Sequence, residues 1–235
     1  MSYYKGDIKF KNVSSDTVGL IVTAPPLVTH SEVRHDSYTI PGRDGDLYSI
    51  DTYRGNATIK VSFALVKTSA ADAYQKALRQ IRLWLQGTGK LVIADSTDSY
   101  YEVQKVTIDT DNRVILQYGT LEVTFTVYPY EFLNTGDTGV TSFPITNDAD
   151  VCYPLYKIAG TGSGTLTVNS KTMSYTVSGT LYIDTRRMIA YDGSDNNCND
   201  KINGDYTNLY LKTGSNSVSA TVGTLTVYPK WGYKV

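Results

Sequence analysis

Apolar and polar residues alternate with a period of two through Ile59-Lys60-Val61-Ser62-Phe63-Ala64-Leu65 and through Leu121-Glu122-Val123-Thr124-Phe125-Thr126-Val127. The same alternation recurs at Thr165-Leu166-Thr167-Val168 and at Gly223-Thr224-Leu225-Thr226-Val227. Successive side chains of a strand point to opposite faces, so each segment predicts a strand with one buried face. Pro41-Gly42, Asp44-Gly45, Asp192-Gly193 and the cluster Gly160 to Gly164 are read as the tight turns between such strands. Antiparallel sheets follow.

One segment breaks the rhythm. From Ser69 to Gln86 the period becomes helical, with Ser69 as cap, Asp72 in the first turn and Gly87 as a left-handed stop. At 100° per residue, Ala70, Ala73, Tyr74, Ala77, Leu78, Ile81, Trp84 and Leu85 share one face, which predicts a helix lying on a sheet. Asp72, Gln75, Lys76, Arg79, Arg82 and Gln86 fall opposite, and Leu83 stands among them as an exposed leucine or a subunit contact.

The alternation stops after Tyr128-Pro129-Tyr130-Glu131-Phe132, and Asn134-Thr135-Gly136-Asp137-Thr138-Gly139 reads as turn and linker. The predicted organisation is an N-terminal antiparallel β-sandwich-like domain over 1–132 with the helix at 69–86, a linker at 133–143, and a second β-sandwich over 144–235 built from short strands. The segments ending Thr-Val-Tyr-Pro at Pro129 and Pro229 echo each other, and each proline is expected to end its strand.

Composition fits this mainly β reading. Tyrosine occurs 20 times against 5 phenylalanines, which suits pleated, half-exposed surfaces. Basic and acidic residues nearly balance on both sides of position 135 and the net charge is −1, so no phosphate-binding surface is expected. No run approaches the roughly 18 apolar residues of a membrane helix, and the start Met1-Ser2-Tyr3-Tyr4-Lys5-Gly6-Asp7 lacks a secretory pattern, so cytoplasmic synthesis without membrane insertion is expected.

A search for chemistry turns up little. Ser-His-Asp or Cys-His catalysis needs a histidine base, and the chain holds only His30 and His35, which flank Ser31-Glu32-Val33-Arg34 on a predicted strand and point to opposite faces. Gly160-Thr161-Gly162-Ser163-Gly164 places serine fourth rather than third and lacks a following helix, so it fits neither a nucleophile elbow nor a phosphate cradle. Gly87-Thr88-Gly89-Lys90 ends a helix instead of starting one. Asp192 to Asp200 is rich in oxygen ligands but lacks the glycine and closing glutamate of an EF-hand. Cys152 and Cys198 form no Cys-x-x-Cys unit and are expected to be buried reduced thiols. No enzyme activity, metal or cofactor is predicted.

The order of elements carries a resemblance. A strand at Asp7 to Asn12 precedes the segment Ile40-Pro41-Gly42-Arg43-Asp44-Gly45-Asp46-Leu47, then come strands and the helix ending Ile81-Arg82-Leu83-Trp84-Leu85-Gln86-Gly87. Leu91-Val92-Ile93-Ala94-Asp95, Ser99-Tyr100-Tyr101-Glu102-Val103 and the aromatic-Pro-aromatic stretch Tyr128 to Phe132 follow. This resembles the N-terminal domain of siphophage distal tail proteins. The second half, opening at Tyr153-Pro154-Leu155-Tyr156-Lys157-Ile158 and with Leu211 to Val218 near its end, is similar to the family's galectin-like β-sandwich.

The resemblance implies a structural hub at the virion tail tip, assembled in the host cytoplasm: a homohexameric ring of N-terminal domains around a channel for DNA. Its implied partners are the tail-tube protein, the tail-associated hub protein and peripheral receptor-binding or baseplate proteins, with no sequence-specific nucleic-acid binding. The candidate subunit interface is Ile40, Pro41, Arg43, Asp44, Asp46, Leu47 and Leu83. The alternative is a carbohydrate-binding module that holds the host wall through exposed tyrosines. Galectin-type sugar sites resemble clusters of His, Asn, Arg, Trp and Glu, however, and the second half has neither His nor Glu.

Overall fold

The computed structural model describes residues 6–66, 71–115 and 118–235, with side chains for all of these except 50–52, 66, 71–73 and 113–115. The chain divides into two units. Unit 1 comprises the residues up to Glu131 together with Lys234–Val235, and unit 2 is Phe132–Tyr233.

The strands of unit 1 are β1 (Ile8–Phe10), β2 (Val13–Ser14), β3 (Leu20–Val22), β4 (Leu27–Thr29), β5 (Val33–Tyr38), β6 (Leu47–Arg54) and β7 (Ala57–Val66). After α1 (Ala71–Trp84) come β8 (Gly89–Ile93), β9 (Ser96–Ile115) and β10 (Tyr118–Leu133). They form an antiparallel sheet in the order β2-β1-β8-β9-β10-β7-β3, with β4 also on β7. Strands β5 and β6 form a separate ribbon, and among the described residues they pair only with each other.

The predicted alternation sets the register at the centre of this sheet. Phe63, Val61, Ile59 and Ala57 of β7 lie opposite Leu121, Val123, Phe125 and Val127 of β10, and all eight are buried. Between them Lys60 and Glu122 point outward and are exposed, as a one-sided core requires. Helix α1 covers the apolar face with Tyr74, Leu78, Ile81, Trp84 and Leu85. The Trp84 indole N–H donates to the Phe10 carbonyl at 3.2 Å, and the Phe10 ring meets both Trp84 and Phe125 edge-on. Gly87 has φ +84°, the left-handed conformation expected for the helix stop. The cap residue Ser69 and Ala70 lie outside the described residues.

Unit 2 contains β11 (Ile145–Asn147), β12 (Leu155–Val168), β13 (Lys171–Asp184), β14 (Ile189–Asp192), β15 (Ile202–Asn203), β16 (Gly214–Asn216), β17 (Val218–Ala220) and β18 (Thr224–Tyr228). The last strand, β19 (Gly232–Lys234), carries the chain back into unit 1. The framework of unit 2 is the hairpin β12–β13, two strands of 14 residues each, where only short strands were expected. On one face of this hairpin the buried Tyr156, Ile158 and Leu166 lie opposite the buried Ile183, Leu181 and Met173, and Val168, opposite the exposed Lys171 at the turn, is buried too, so this face lines the core of unit 2. At one end β12 pairs with β18 and at the other with β17.

Four expectations are corrected. The cluster Gly160 to Gly164 is the interior of β12 and makes no turn. Its glycines allow close approach: a Cβ on Gly160 would lie 2.8 Å from Gly223 Cα, and one on Gly164 would meet the Tyr175 hydroxyl. The hairpin instead turns at Asn169-Ser170, both at positive φ. Strand β10 runs through Pro129 to Leu133, because that residue contributes only its carbonyl, which accepts from the Val235 amide. His30 lies in the connection after β4 while His35 is on β5, so they share no strand.

The fourth correction concerns residues 133–143, read as a linker. They are packed on unit 2: Leu133 N donates to Trp231 O, Gly136 O accepts from Lys230 N, and Val140 exchanges both backbone bonds with Val227. Gly136 is buried, and a Cβ there would lie 2.4 Å from Trp231 N, so any larger residue would displace backbone. We therefore expect a fragment spanning 132–233 to give a dispersed amide spectrum. A fragment starting at 144 is expected to melt at least about 10 °C lower, since losing several such bonds costs about 2 to 4 kcal/mol in a domain of this size. Equal melting temperatures for the two fragments would show that the segment contributes nothing to folding.

Candidate assembly surface

The ribbon β5–β6 has an unusual pattern. Tyr38 lies opposite Leu47, Ser37 opposite Tyr48 and His35 opposite Ile50, and from Arg34 to Ser49 every residue is exposed. Alternation still sorts the side chains by face, with Tyr38 and Leu47 on one side and His35 packed edge-on against Tyr48 on the other, at 5.4 Å. Neither face meets a core. An isolated two-stranded hairpin is marginal in water, and this one exposes Tyr38, Ile40, Leu47, Tyr48 and Tyr53.

The tip of this arm is shaped by backbone chemistry. Arg43 N donates to Ile40 O at 3.2 Å, and Gly42 has φ +84°, so Ile40-Pro41-Gly42-Arg43 is a type II turn with proline and glycine in their favoured places. The bonded turn is thus at Pro41-Gly42, one step before the Asp44-Gly45 pair also expected to turn, although Gly45 too is left-handed. Thr39 Oγ1 donates to Asp46 Oδ1 at 2.9 Å across the loop base. Arg43 and Asp44 are exposed and make no ion pair among the described residues.

The other candidate, Leu83, is 58% exposed on the outer face of α1. Its neighbour Arg82 pairs with Asp111 of β9 at 2.6 Å, tying the helix to the strand beside it. That strand pairs with β8 only as far as Val103, and from Gln104 to Ile115 its one strand neighbour among the described residues is β10. At the opposite margin, beyond β7, the short strands β3 and β4 expose Ile21 and Leu27. Among the described residues, the Gln104–Ile115 stretch of β9 and the short strands β3 and β4 thus each have a strand neighbour on one side only, at opposite margins of the sheet, with α1 lying beside β9.

The residues considered for chemistry fall into structural roles. Asp192 Oδ1 accepts from the amides of Ser194 and Asn196, and Oδ2 accepts from the Asn196 side chain. These bonds hold its carboxyl below the ordinary range and close the loop on itself. Cys152 and Cys198 are free and buried, and burial pushes the Cys152 thiol up to about 11, away from reactivity. Tyr156 is raised by burial while its hydroxyl donates to Leu209 O at 2.7 Å. Burial and the nearby Glu131 carboxylate push Tyr101 up to about 12. Glu131 itself accepts from Ser96 and Ser99, which links β9 to β10. No group of three or more metal-ligating side chains occurs among the described residues.

Comparison with known proteins gives this geometry a context. Residues 8–127 match the model of the phage tail protein RIFT-related domain, and the chain belongs to that family. The crystal structure of Dit (gp 19.1) of SPP1, described as a paradigm of the hub adsorption apparatus in phages infecting Gram-positive bacteria, superposes with a TM-score of 0.67. The match covers 98% of this chain and 99% of that one at 13% identity, so the two share a fold from end to end. No curated protein sequence matches.

Proposed function

We propose that the protein is a non-enzymatic hub at the distal end of a siphophage tail, where unit 1 forms a homohexameric ring around a channel for DNA. The observation carrying this reading is an exposed arm that joins no core, in a unit whose sheet has, among the described residues, margins at β3–β4 and along Gln104–Ile115 of β9 without a second strand neighbour. Two different surfaces that meet head to tail either close into a ring or grow into a filament. The six-fold number comes from the resemblance to distal tail proteins. The sheet face away from the core carries Thr58, Lys60, Ser62, Glu122, Thr124 and Thr126, a mixed polar surface without the basic stripe that would retain phosphates.

In this reading Ile40, Pro41, Arg43, Asp44, Asp46, Leu47 and Leu83 belong to the subunit contact. The tail-tube protein and the tail-associated hub protein lie on either side of the ring, and unit 2, as a galectin-like sandwich, meets the peripheral host-binding proteins. Light scattering of the pure protein tests the ring, with an expected mass six times the 25.9 kDa subunit. A monomer mass at high concentration, together with tails lacking a ring in micrographs, would overturn it. Arg43→Ala is expected to weaken assembly by about 2 to 5 kcal/mol per contact, the cost of stripping one partner from a desolvated charge pair, with unfolding of the subunit almost unchanged. Wild-type assembly and salt tolerance in that variant would make the arm tip a solvated loop.

A second reading, sugar binding by unit 2, has one observation in its favour. Tyr182 and Tyr191 stack on each other at 5.1 Å beside Lys157 on the outer sheet face. Each ring gives one face to the other and Lys157 lies over Tyr182, and a glycan array separates this reading from a docking role.

A further inference from the structure

The arm must leave the body of unit 1 at a defined point, yet among the described residues its two strands pair with no other strand. What fixes its root is a small set of bonds that involve the far end of the sequence. Ser31, directly before β5, is 5% exposed, and both its amide (2.9 Å) and its hydroxyl donate to the backbone oxygen of Val235. The Val235 amide in turn donates to Pro129 O at 3.1 Å, and the Val235 side chain is buried in the core of unit 1. From the opposite strand, the Arg54 guanidinium donates to Ser31 O at 2.8 Å and Gly55 N donates to Glu32 O at 2.9 Å.

The chain thus runs Pro129–Val235–Ser31–Arg54, with each link a hydrogen bond. Residues 132–233 all intervene between Pro129 and Val235 in sequence, so this anchor can form only after unit 2 has been made and the chain has returned.

We infer that Lys234–Val235 act as a clasp that locks the root of the arm, making the arm's position conditional on a completed unit 2. The clasp sits where a backbone oxygen takes two donors from one buried serine, a site that ordinary hairpin folding does not need. Its consequence for assembly rests on the reading of the arm as a subunit contact. A chain lacking residues 234–235 would carry an unanchored arm, pay a larger ordering entropy on docking and enter rings poorly.

Hydrogen exchange on the full chain tests the clasp, using deletion of residues 234–235 and, as a milder variant, Ser31→Ala. The amides of Ser31 and Gly55 are expected to exchange about ten-fold faster in the deletion and about three-fold faster in Ser31→Ala, since each removes one or more net-stabilising hydrogen bonds. The amides of β12 and β13 in unit 2, and of β7 and the facing stretch Leu121–Val127 of β10 in unit 1, serve as controls and should be unchanged. Unchanged exchange at Ser31 and Gly55 in the deletion overturns the clasp, whatever the rings do. General acceleration across β7 and that stretch of β10 would likewise overturn it, because the residues would then support the whole unit rather than the arm. Faster exchange confined to the root, with rings forming at wild-type concentration, leaves the clasp standing and removes the arm from the subunit contact.

Discussion

Replacing Ile40, Leu47 and Tyr48 together by serine is expected to raise the concentration needed for ring assembly by about two orders of magnitude while leaving subunit unfolding within about 0.5 kcal/mol of wild type. The three side chains are 41%, 46% and 57% exposed in the subunit and none of them belongs to the core of unit 1, so truncating them leaves that core intact. Full burial of a large apolar side chain stabilises by about 1.5 to 3 kcal/mol. These three still have roughly half of that to gain, or about 3 kcal/mol at each contact, and 1.4 kcal/mol is a factor of ten. Thermal unfolding and light scattering on the same sample separate the two effects. A variant that unfolds much earlier would show the arm to be part of the unit's own core, and one that assembles normally would leave the exposed residues without a role.

The contrast between arm and sheet explains what could be read from the residues alone. Where a strand has one buried face, period-two alternation identifies it, and the segments at 59–65 and 121–127 form adjacent strands with every apolar position buried. The helix was legible for the same reason, since its apolar stripe is wide and Leu83 falls outside it. Glycine was misread at 160–164 because a close backbone approach and a tight turn both favour the absence of a Cβ, and only the partner, here Gly223, distinguishes them. Asn169-Ser170 carried a weaker turn signal than the glycine cluster a few residues earlier. The Gly, Asn and Asp content of 133–143 reads as a linker, and what opposes that reading is the segment's pairing with Val227, Lys230 and Trp231, almost one hundred residues on. The sheet margins and the Ser31–Val235 contact are likewise long-range facts. The candidate interface residues were identifiable as a turn-rich, charged segment, but their place on a solitary ribbon depends on the topology around them.

The same logic predicts the opposite response at the centre of unit 1. Phe125 is completely buried, faces Ile59 across the β7–β10 ladder and packs edge-on at 5.6 Å against Phe10, which in turn meets Trp84 of the helix. Truncating it removes both the transfer free energy of the ring and the contact that couples sheet to helix. The surrounding side chains stem from several strands held by backbone bonds, so they cannot collapse far into the space. Phe125→Ala is therefore expected to destabilise unit 1 by about 3 to 5 kcal/mol, while Phe125→Leu, which fills most of the volume, should cost under half as much. Because unit 2 has its own core, its unfolding followed through the buried Tyr156 and Tyr175 should shift far less than that of unit 1. Denaturant unfolding followed by hydrogen exchange in both units checks this. A loss below about 1 kcal/mol in Phe125→Ala would mean that the sheet and helix relax into the cavity and that the aromatic chain from Phe125 through Phe10 to Trp84 is not what joins them.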